Sequence, residues 1–362
     1  MIPLTLQTTP PLPNSPAPIV LIGAGGIVND AHLPAYHKAG FPVAGIFDID
    51  TGKARQTAQA FAIPVVYESL GEAVRLAPAG AVFDIAVPAS AILSLLPHLP
   101  DGAGILIQKP LGDDLAMARA ICDLCRAKAL KAAVNFQLRY APFVLAARSL
   151  IAQGVIGDVH DMEVRVTVFT PWHLWKFMEQ VRFAEITYHS IHYLDLMRAC
   201  LGEPHAVYAK SVSHPTLPKL HGTRTTFILD YGEWLRATIT ANHHHAYGLK
   251  HQESYIKWEG SKGAIKAKMG LLMNYPQGVP DEFEYCVLDG ENEPHWQSVP
   301  IEGSWFPDGF VGTMASLMRY VEGSADYLPT AVEDAVNTMA LVEAACRSSE
   351  SGATPLTQPI RG

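Results

Sequence analysis

The sequence predicts an α/β domain on a doubly wound parallel sheet, followed by an α+β domain on a large open antiparallel sheet covered by helices on one face. Three observations predict it. Up to about residue 137, short and almost wholly apolar runs alternate with helical stretches. After Tyr140 the apolar residues fall at every second position instead, with turn residues between the runs. The chain has 362 residues, 49% hydrophobic and 17% charged, which is enough for two cores.

Taken in order, the first apolar runs are 19–22, 43–47, 63–66, 81–87, 104–107 and 132–136. They are short and rich in β-branched residues, as strands covered on both faces are. Helical stretches at 51–62, 89–99 and 114–129 separate them, so the units repeat as strand–helix–strand. A helix over 143–153 leads into the second part. There 158–170, 206–212, 223–229, 234–241, 255–258, 264–269 and 283–288 read as strands, with a helix over 183–201 among them. Helices at 311–322 and 331–347 close the chain. The expected division is a proline-rich arm over 1–17, a nucleotide-binding domain over 18–140 and a substrate and assembly domain over 141–362. Prolines exclude helix and inner strand from the arm, which is a tail or an extended strap.

Composition narrows the partners. Net charge is −8 and no basic run occurs, so nucleic acid is not expected. No apolar run reaches membrane-spanning length, and the first residues lack a signal-peptide pattern. The five Cys are scattered, and Cys122 and Cys125 share one face of an amphipathic stretch without a second pair to complete a zinc site. They read as buried helix residues in a reducing compartment, and a cytoplasmic location is expected.

The first strand runs into Gly23-Ala24-Gly25-Gly26-Ile27, and a helix follows. Glycine here permits a tight turn and close backbone approach to a pyrophosphate, which the helix N-terminus attracts. The second strand ends at Asp48, placed to bind adenosine ribose hydroxyls. Its carboxylate would repel a 2′-phosphate, so NAD is expected over NADP. The alternative, a turn or capping aspartate, suits Asp50 better. These features predict a Rossmann nucleotide site.

Further segments extend the pattern. Ala86-Val87-Pro88 ends the fourth run, and Gln108-Lys109-Pro110 the fifth. Asn135-Phe136-Gln137-Leu138-Arg139-Tyr140 leads into the second domain, and His192-Tyr193-Leu194-Asp195-Leu196 lies on its helix. With the glycine turn and His32-Leu33-Pro34-Ala35, their order resembles the Gfo/Idh/MocA (glucose–fructose oxidoreductase, inositol dehydrogenase, rhizopine catabolism) family over nearly the whole chain. The resemblance implies NAD contacts from Gly23, Gly25, Gly26, Ile27, Asp48, Val87, Pro88, Gln108, Lys109 and Gln137. It also implies catalytic roles for Lys109 and His192. The chain departs from the family pattern at Gln108, where the family has Glu, and at Tyr188, where it has Asp. The family's glycine triplet before the helix is absent around Arg182-Phe183-Ala184.

Oxidising a carbinol needs a hydride acceptor, a proton acceptor and a group that stabilises the alkoxide. Lys109, at the carboxyl end of a parallel strand, suits the last. Tyr188 and His192 share one helix face; Glu185, His189 and His192 share the adjacent one. His192 is the expected proton acceptor. Tyr188 either binds substrate, orients His192, or donates the proton itself with its pKa lowered by Lys109. Trp172, Trp175, Arg139 and Tyr140 suit sugar binding through aromatic faces and planar hydrogen bonds, with His189 as a further contact; ordinary packing is the alternative for both tryptophans. His243-His244-His245 invites a metal reading, but strand alternation puts only two on one side, and no third ligand is near. No metal is expected; these are polar residues at an interface or pocket rim.

The expected activity is NAD-dependent dehydrogenation of a secondary hydroxyl on a sugar, polyol or glycoside. Two alternatives stay open: an enzyme that retains and recycles NAD during glycoside cleavage or elimination, and a nucleotide-binding regulator without catalysis. The open sheet is expected to pair with another subunit, as a homodimer or homotetramer, because one apolar face would lack a cover.

Overall fold

The computed structural model describes residues 6–288, 290 and 293–354. Residues 1–5 of the arm and 355–362 lie outside it.

Strands β1 (Ile19–Ile22), β2 (Val43–Phe47), β3 (Val82–Ile85), β4 (Gly104–Ile107) and β5 (Lys131–Val134) form a parallel sheet in the order β2-β1-β3-β4-β5. The 63–66 run is not a strand. Pro64 removes a donor from it, and only an isolated Ile46–Val66 bridge remains. Helices α1 (Leu33–Ala39), α2 (Thr51–Ala60), α3 (Leu70–Leu76), α4 (Ala89–Leu95) and α5 (Leu115–Ala127) lie between the strands. Side chains of Asp50, Ser69 and Asp114 cap α2, α3 and α5 by accepting from backbone N–H groups. On α5, Leu115, Ala118, Ile121, Cys122 and Cys125 turn inward. Both cysteines are free and buried, and burial pushes the Cys125 thiol up to about 12, so they act as apolar residues.

After α6 (Pro142–Ala152), the second sheet begins with β6 (Val159–Thr167). Helix α7 (Ile191–Leu201) follows, then β7 (Ala206–Val212), β8 (Arg224–Asp230), β9 (Arg236–Asn242), β10 (Glu253–Gly260), β11 (Gly263–Lys268), β12 (Glu282–Val287) and β13 (Trp296–Ser298). Their order is β13-β12-β11-β10-β6-β9-β8-β7. All neighbours are antiparallel except β6 and β9, so the sheet is mixed. Alternation drives it: Met162, Val164, Val166, Phe227, Ile239, Ile256, Trp258 and Phe283 turn inward onto Phe143, Leu150, Tyr193 and Met197 of the helices. Each such large side chain contributes about 1.5–3 kcal/mol by leaving water.

The outward face is not apolar, which corrects the reason given above for pairing with another subunit. It carries Asp161–Arg236 (2.5 Å), Arg165–Glu253 (2.5 Å) and Lys257–Glu259 (2.9 Å) ion pairs, with Tyr255 donating to Glu163 at 2.5 Å.

Helix α8 (Trp305–Glu322), expected with the second domain, returns to the first. Its Phe310, Met314, Leu317 and Met318 pack with Ile19, Leu21, Val82, Leu106 and Ala133 on the parallel sheet. Helix α9 (Val332–Ser351) lies against α5, α7 and β7. The described part of the arm is a strap: the N–H groups of Asn14 and Ser15 donate to Glu322, and Leu6 packs on the larger core.

Candidate active site

Beyond β1 the chain turns at Gly23, with φ +115°; a Cβ there would sit 2.4 Å from the Ala86 carbonyl oxygen. Only glycine fits this approach. At Gly25 a Cβ would meet nothing within 4 Å, so open space lies over the turn just where Gly26 and Ile27 begin the helix. A π-turn, Val28–His32, continues into α1. Open volume at a helix start beside a glycine turn fits a pyrophosphate. Asp48 is half-buried past β2 and accepts from the N–H of Ala24 at 2.7 Å and of Asp50 at 2.8 Å. A carboxylate has lone pairs beyond these two, so it can still receive ribose hydroxyls. Val87 is half-buried and Pro88 exposed just beyond β3, across from the turn.

Beneath the sheet edge lies a polar group that sequence reasoning missed. His32 Nδ1 is 2.7 Å from Asp84, which also receives the Tyr36 hydroxyl at 2.7 Å; both His32 and Asp84 are fully buried. The amide nitrogens of Gln108 and Asn135 each lie 3.3 Å from His32 Nε2. Two donors at Nε2 require that Nδ1 carry the proton and give it to Asp84. Gln108 is thereby tied inward, and its Oε1 accepts the Lys109 N–H at 2.8 Å. The amide thus sets the strand end from which Lys109 projects. Gln137 is also interior, and its Oε1 has no partner among the described residues.

Lys109 Nζ crosses to the second domain and donates to the Tyr188 carbonyl at 2.8 Å. Burial pulls its ammonium down to about 8. Tyr188 belongs to a π-turn, Ile186–Ser190, that runs straight into α7 and His192. His192 is 5% exposed, with its ring edge-on to Trp305 at 5.4 Å and its Nδ1 unpartnered among the described residues. Burial and then Lys109 hold it well below the usual imidazole range, so it is neutral. Tyr188 goes the opposite way from the proton-donor alternative: burial, then Asp113, raises its phenol. The lowering by Lys109 expected of that alternative is therefore not found.

His189 lies between Trp172 (5.2 Å between ring centres) and His243 (4.2 Å). Trp172 is buried and donates to the His243 carbonyl at 3.1 Å, so it braces this wall. Trp175 is half-buried, 6.2 Å from Tyr275. His243 is fully buried, not at a rim; His244 and His245 are half-buried. Among the described residues no group of three His, Cys, Asp or Glu is arranged to hold a metal ion.

Arg139 and Tyr140, expected at the substrate, are elsewhere. Arg139 is 4% exposed, and its guanidinium is committed to Asp195 (2.7 and 2.6 Å), Asp334 (2.6 Å) and the Pro329 carbonyl (2.8 Å). Tyr140 is buried against Gly312 of α8, where a Cβ would come within 2.3 Å of it. Both are taken up by contacts within the protein.

Comparison with known proteins agrees with this architecture. Residues 18–136 match the family model described as an oxidoreductase-family NAD-binding Rossmann fold, and residues 148–357 the oxidoreductase-family C-terminal alpha/beta domain. The chain is 25% identical over 257 residues to the inositol 2-dehydrogenase of Rhizobium meliloti, covering 68% of this chain and 71% of that one. It is 23% identical over 294 residues to the dehydrogenase aclE of Aspergillus oryzae, covering 75% and 76%. An oxidoreductase from Agrobacterium radiobacter, solved with NAD+, L-tartaric acid and magnesium, superposes with a TM-score of 0.75 at 22% identity, covering 94% of this chain and 98% of that one.

Proposed function

Because the chain belongs to the Gfo/Idh/MocA family of oxidoreductases, both of whose domain models it matches in order, we propose that it is an NAD-dependent dehydrogenase of a secondary hydroxyl on a sugar, polyol or glycoside. One observation carries the reading: Lys109 Nζ, from the end of β4, bonds the backbone one helical turn before His192. A strand end of the parallel sheet and a helix of the other domain thereby bring an ammonium and a neutral imidazole within electrostatic reach of each other.

Gly23, Gly25, Gly26 and Ile27 would hold the pyrophosphate, and Asp48 the ribose. Bound NAD supplies the acceptor for the hydride of the carbinol carbon. Lys109, still largely protonated near neutral pH at a pKa of about 8, binds the substrate oxygen and stabilises its developing negative charge. Neutral His192 has a free lone pair to accept the hydroxyl proton, and its lowered pKa means that it holds that proton only in passing. Trp175 offers a half-buried aromatic face beside Tyr275 for the CH face of a sugar ring. His189 is set back against Trp172 and His243.

The test is a panel of sugars and polyols offered with NAD, followed by NADH absorbance. A steady rise with at least one of them, lost by roughly a hundredfold or more in Lys109→Met while NAD still binds, supports the reading. Lys109→Met with wild-type turnover removes Lys109 from the chemistry. Product without net NADH would favour retained and recycled cofactor instead.

A further inference from the structure

Behind the Lys109–His192 pair lies a second cluster that this chemistry does not use. Glu185 is fully buried, accepts a hydrogen bond from the Ser190 hydroxyl through Oε1, and leaves Oε2 unpartnered among the described residues. Its Oε1 is 3.8 Å from His243 Nε2, which makes no hydrogen bond among the described residues. The other nitrogen of His243 is held 2.9 Å from the Thr170 hydroxyl. Its ring centre is 4.2 Å from that of His189, whose Nε2 is likewise unpartnered. His189 in turn lies within electrostatic reach of Lys109 and His192. Three buried titratable side chains in series, each with an unsatisfied polar atom, weaken a fold rather than support it. Such arrangements persist where protons move.

We infer that Glu185, His243 and His189 form a proton store behind Lys109 and His192, which takes up the proton leaving the substrate hydroxyl and returns it in the reverse reaction. The inference rests on the dehydrogenase reading above. In oxidation the carbinol C–H and O–H bonds break and the carbon–oxygen bond becomes double. The hydride carries its electron pair to the bound nicotinamide, so the proton alone must be received by the protein. His192 takes it first. His189 and His243, both neutral, then pass it on, and the last transfer runs from His243 Nε2 to the Glu185 carboxylate that it faces. Burial raises that carboxyl to about 7, with the Ser190 hydroxyl and N–H opposing. The groups facing it are Ser190 and Tyr193 on its own helical segment, Thr225 on β8, His243 beyond β9 and Cys346 on α9. None is a cation, so nothing nearby holds the carboxylate ionised. Below about 7 the store is full; above it, the carboxylate is free to accept.

The test uses the NAD-bound full chain and Glu185→Gln, which keeps shape and removes the titration. Wild-type kcat for oxidation should rise with pH through about 7. The Gln variant should lose that limb and fall about tenfold or more at higher pH with KM little changed. Independently of turnover, NMR of isotope-labelled histidine should show His189 and His243 signals moving with the Glu185 titration in wild type and not in the variant. If Glu185→Gln does not fold, Thr170→Val, which frees His243 Nδ1, should shift the same wild-type titration. Histidine signals flat from roughly pH 5 to 9 in wild type, or a Gln variant with an unchanged pH profile, would overturn the store. A wild type that oxidises no alcohol would instead overturn the dehydrogenase reading, and the histidine titration would still decide whether the cluster is coupled.

Discussion

Replacing Arg139 with Met should unfold the protein more readily without touching substrate affinity. The guanidinium makes two parallel bonds to Asp195, one to Asp334 and one to the Pro329 carbonyl, at 2.6–2.8 Å. Asp334 keeps Arg198 at 3.0 Å and is 26% exposed, so it loses little. Asp195 is 1% exposed and, among the described residues, would keep the Thr338 hydroxyl at 2.9 Å. Leaving one member of a buried pair uncompensated costs about 3–5 kcal/mol. Burial already raises the Asp195 carboxyl against the opposing pull of Arg139, so it can neutralise itself by taking a proton, and the loss should lie near the lower end. Urea unfolding of Arg139→Met against wild type reads this directly. Arg139→Met with Asp195→Leu together should recover part of the loss, because no charge is then stranded. If Arg139→Met lies within about 1 kcal/mol of wild type and KM rises instead, the joint is not where Arg139 acts, and it belongs at the substrate after all.

Three further outcomes are expected. Gly25→Ala should leave Tm unchanged, because its Cβ enters open space, yet weaken NAD binding in a calorimetric titration; Gly23→Ala should lower Tm, because its Cβ would press on the Ala86 carbonyl at 2.4 Å. Equal effects of the two on Tm would contradict this geometry. Asp48→Ala should weaken NAD and improve relative use of NADP in competing kinetics, whereas an unchanged cofactor preference would remove Asp48 from the ribose site. Glu185 has a folded pKa of about 7 against an unfolded value of 4.5, so the native state holds its proton longer. Its contribution is full below about 4.5 and is lost as pH rises through about 7. The loss is about 3 kcal/mol over that window. Glu185→Gln should flatten this part of the stability–pH curve from urea midpoints, and parallel curves would show that the carboxyl is not held protonated by the fold.

Much of the architecture was legible because it is written in local pattern. Continuous apolar runs gave β1, β2 and β4 to the residue, and period-two alternation gave β7. The 63–66 run misled because its apolarity outweighed Pro64, which prevents a ladder. The short, exposed β13 carries no alternation to read. Glycine-turn chemistry and the strand-end lysine were visible for the same reason: they depend on neighbours in sequence. Pairings across the fold were not. Arg139 looked like a substrate ligand because its partners lie 56 and 195 residues away. His243 looked like a rim residue because strand alternation tells which side a residue faces but not what covers that side. The burial of Glu185 against it joins β9 to the segment before α7, and no spacing encodes that. Asp84 sat unnoticed within an apolar strand whose buried ligand, His32, comes from the first helical segment.

The path of α8 has a consequence for how the chain can be made. One surface of the nucleotide-binding sheet receives its lining from residues synthesised after the entire second sheet. A fragment stopping at Tyr140 would leave Leu106 of β4 and Ala133 of β5 without α8 over them, and would be expected to aggregate more readily than the full chain. On the ribosome the amino-terminal half must wait, incomplete, for the carboxyl-terminal one. The cover of that sheet is therefore completed late, which predicts that the chain will not divide into two independently folding halves.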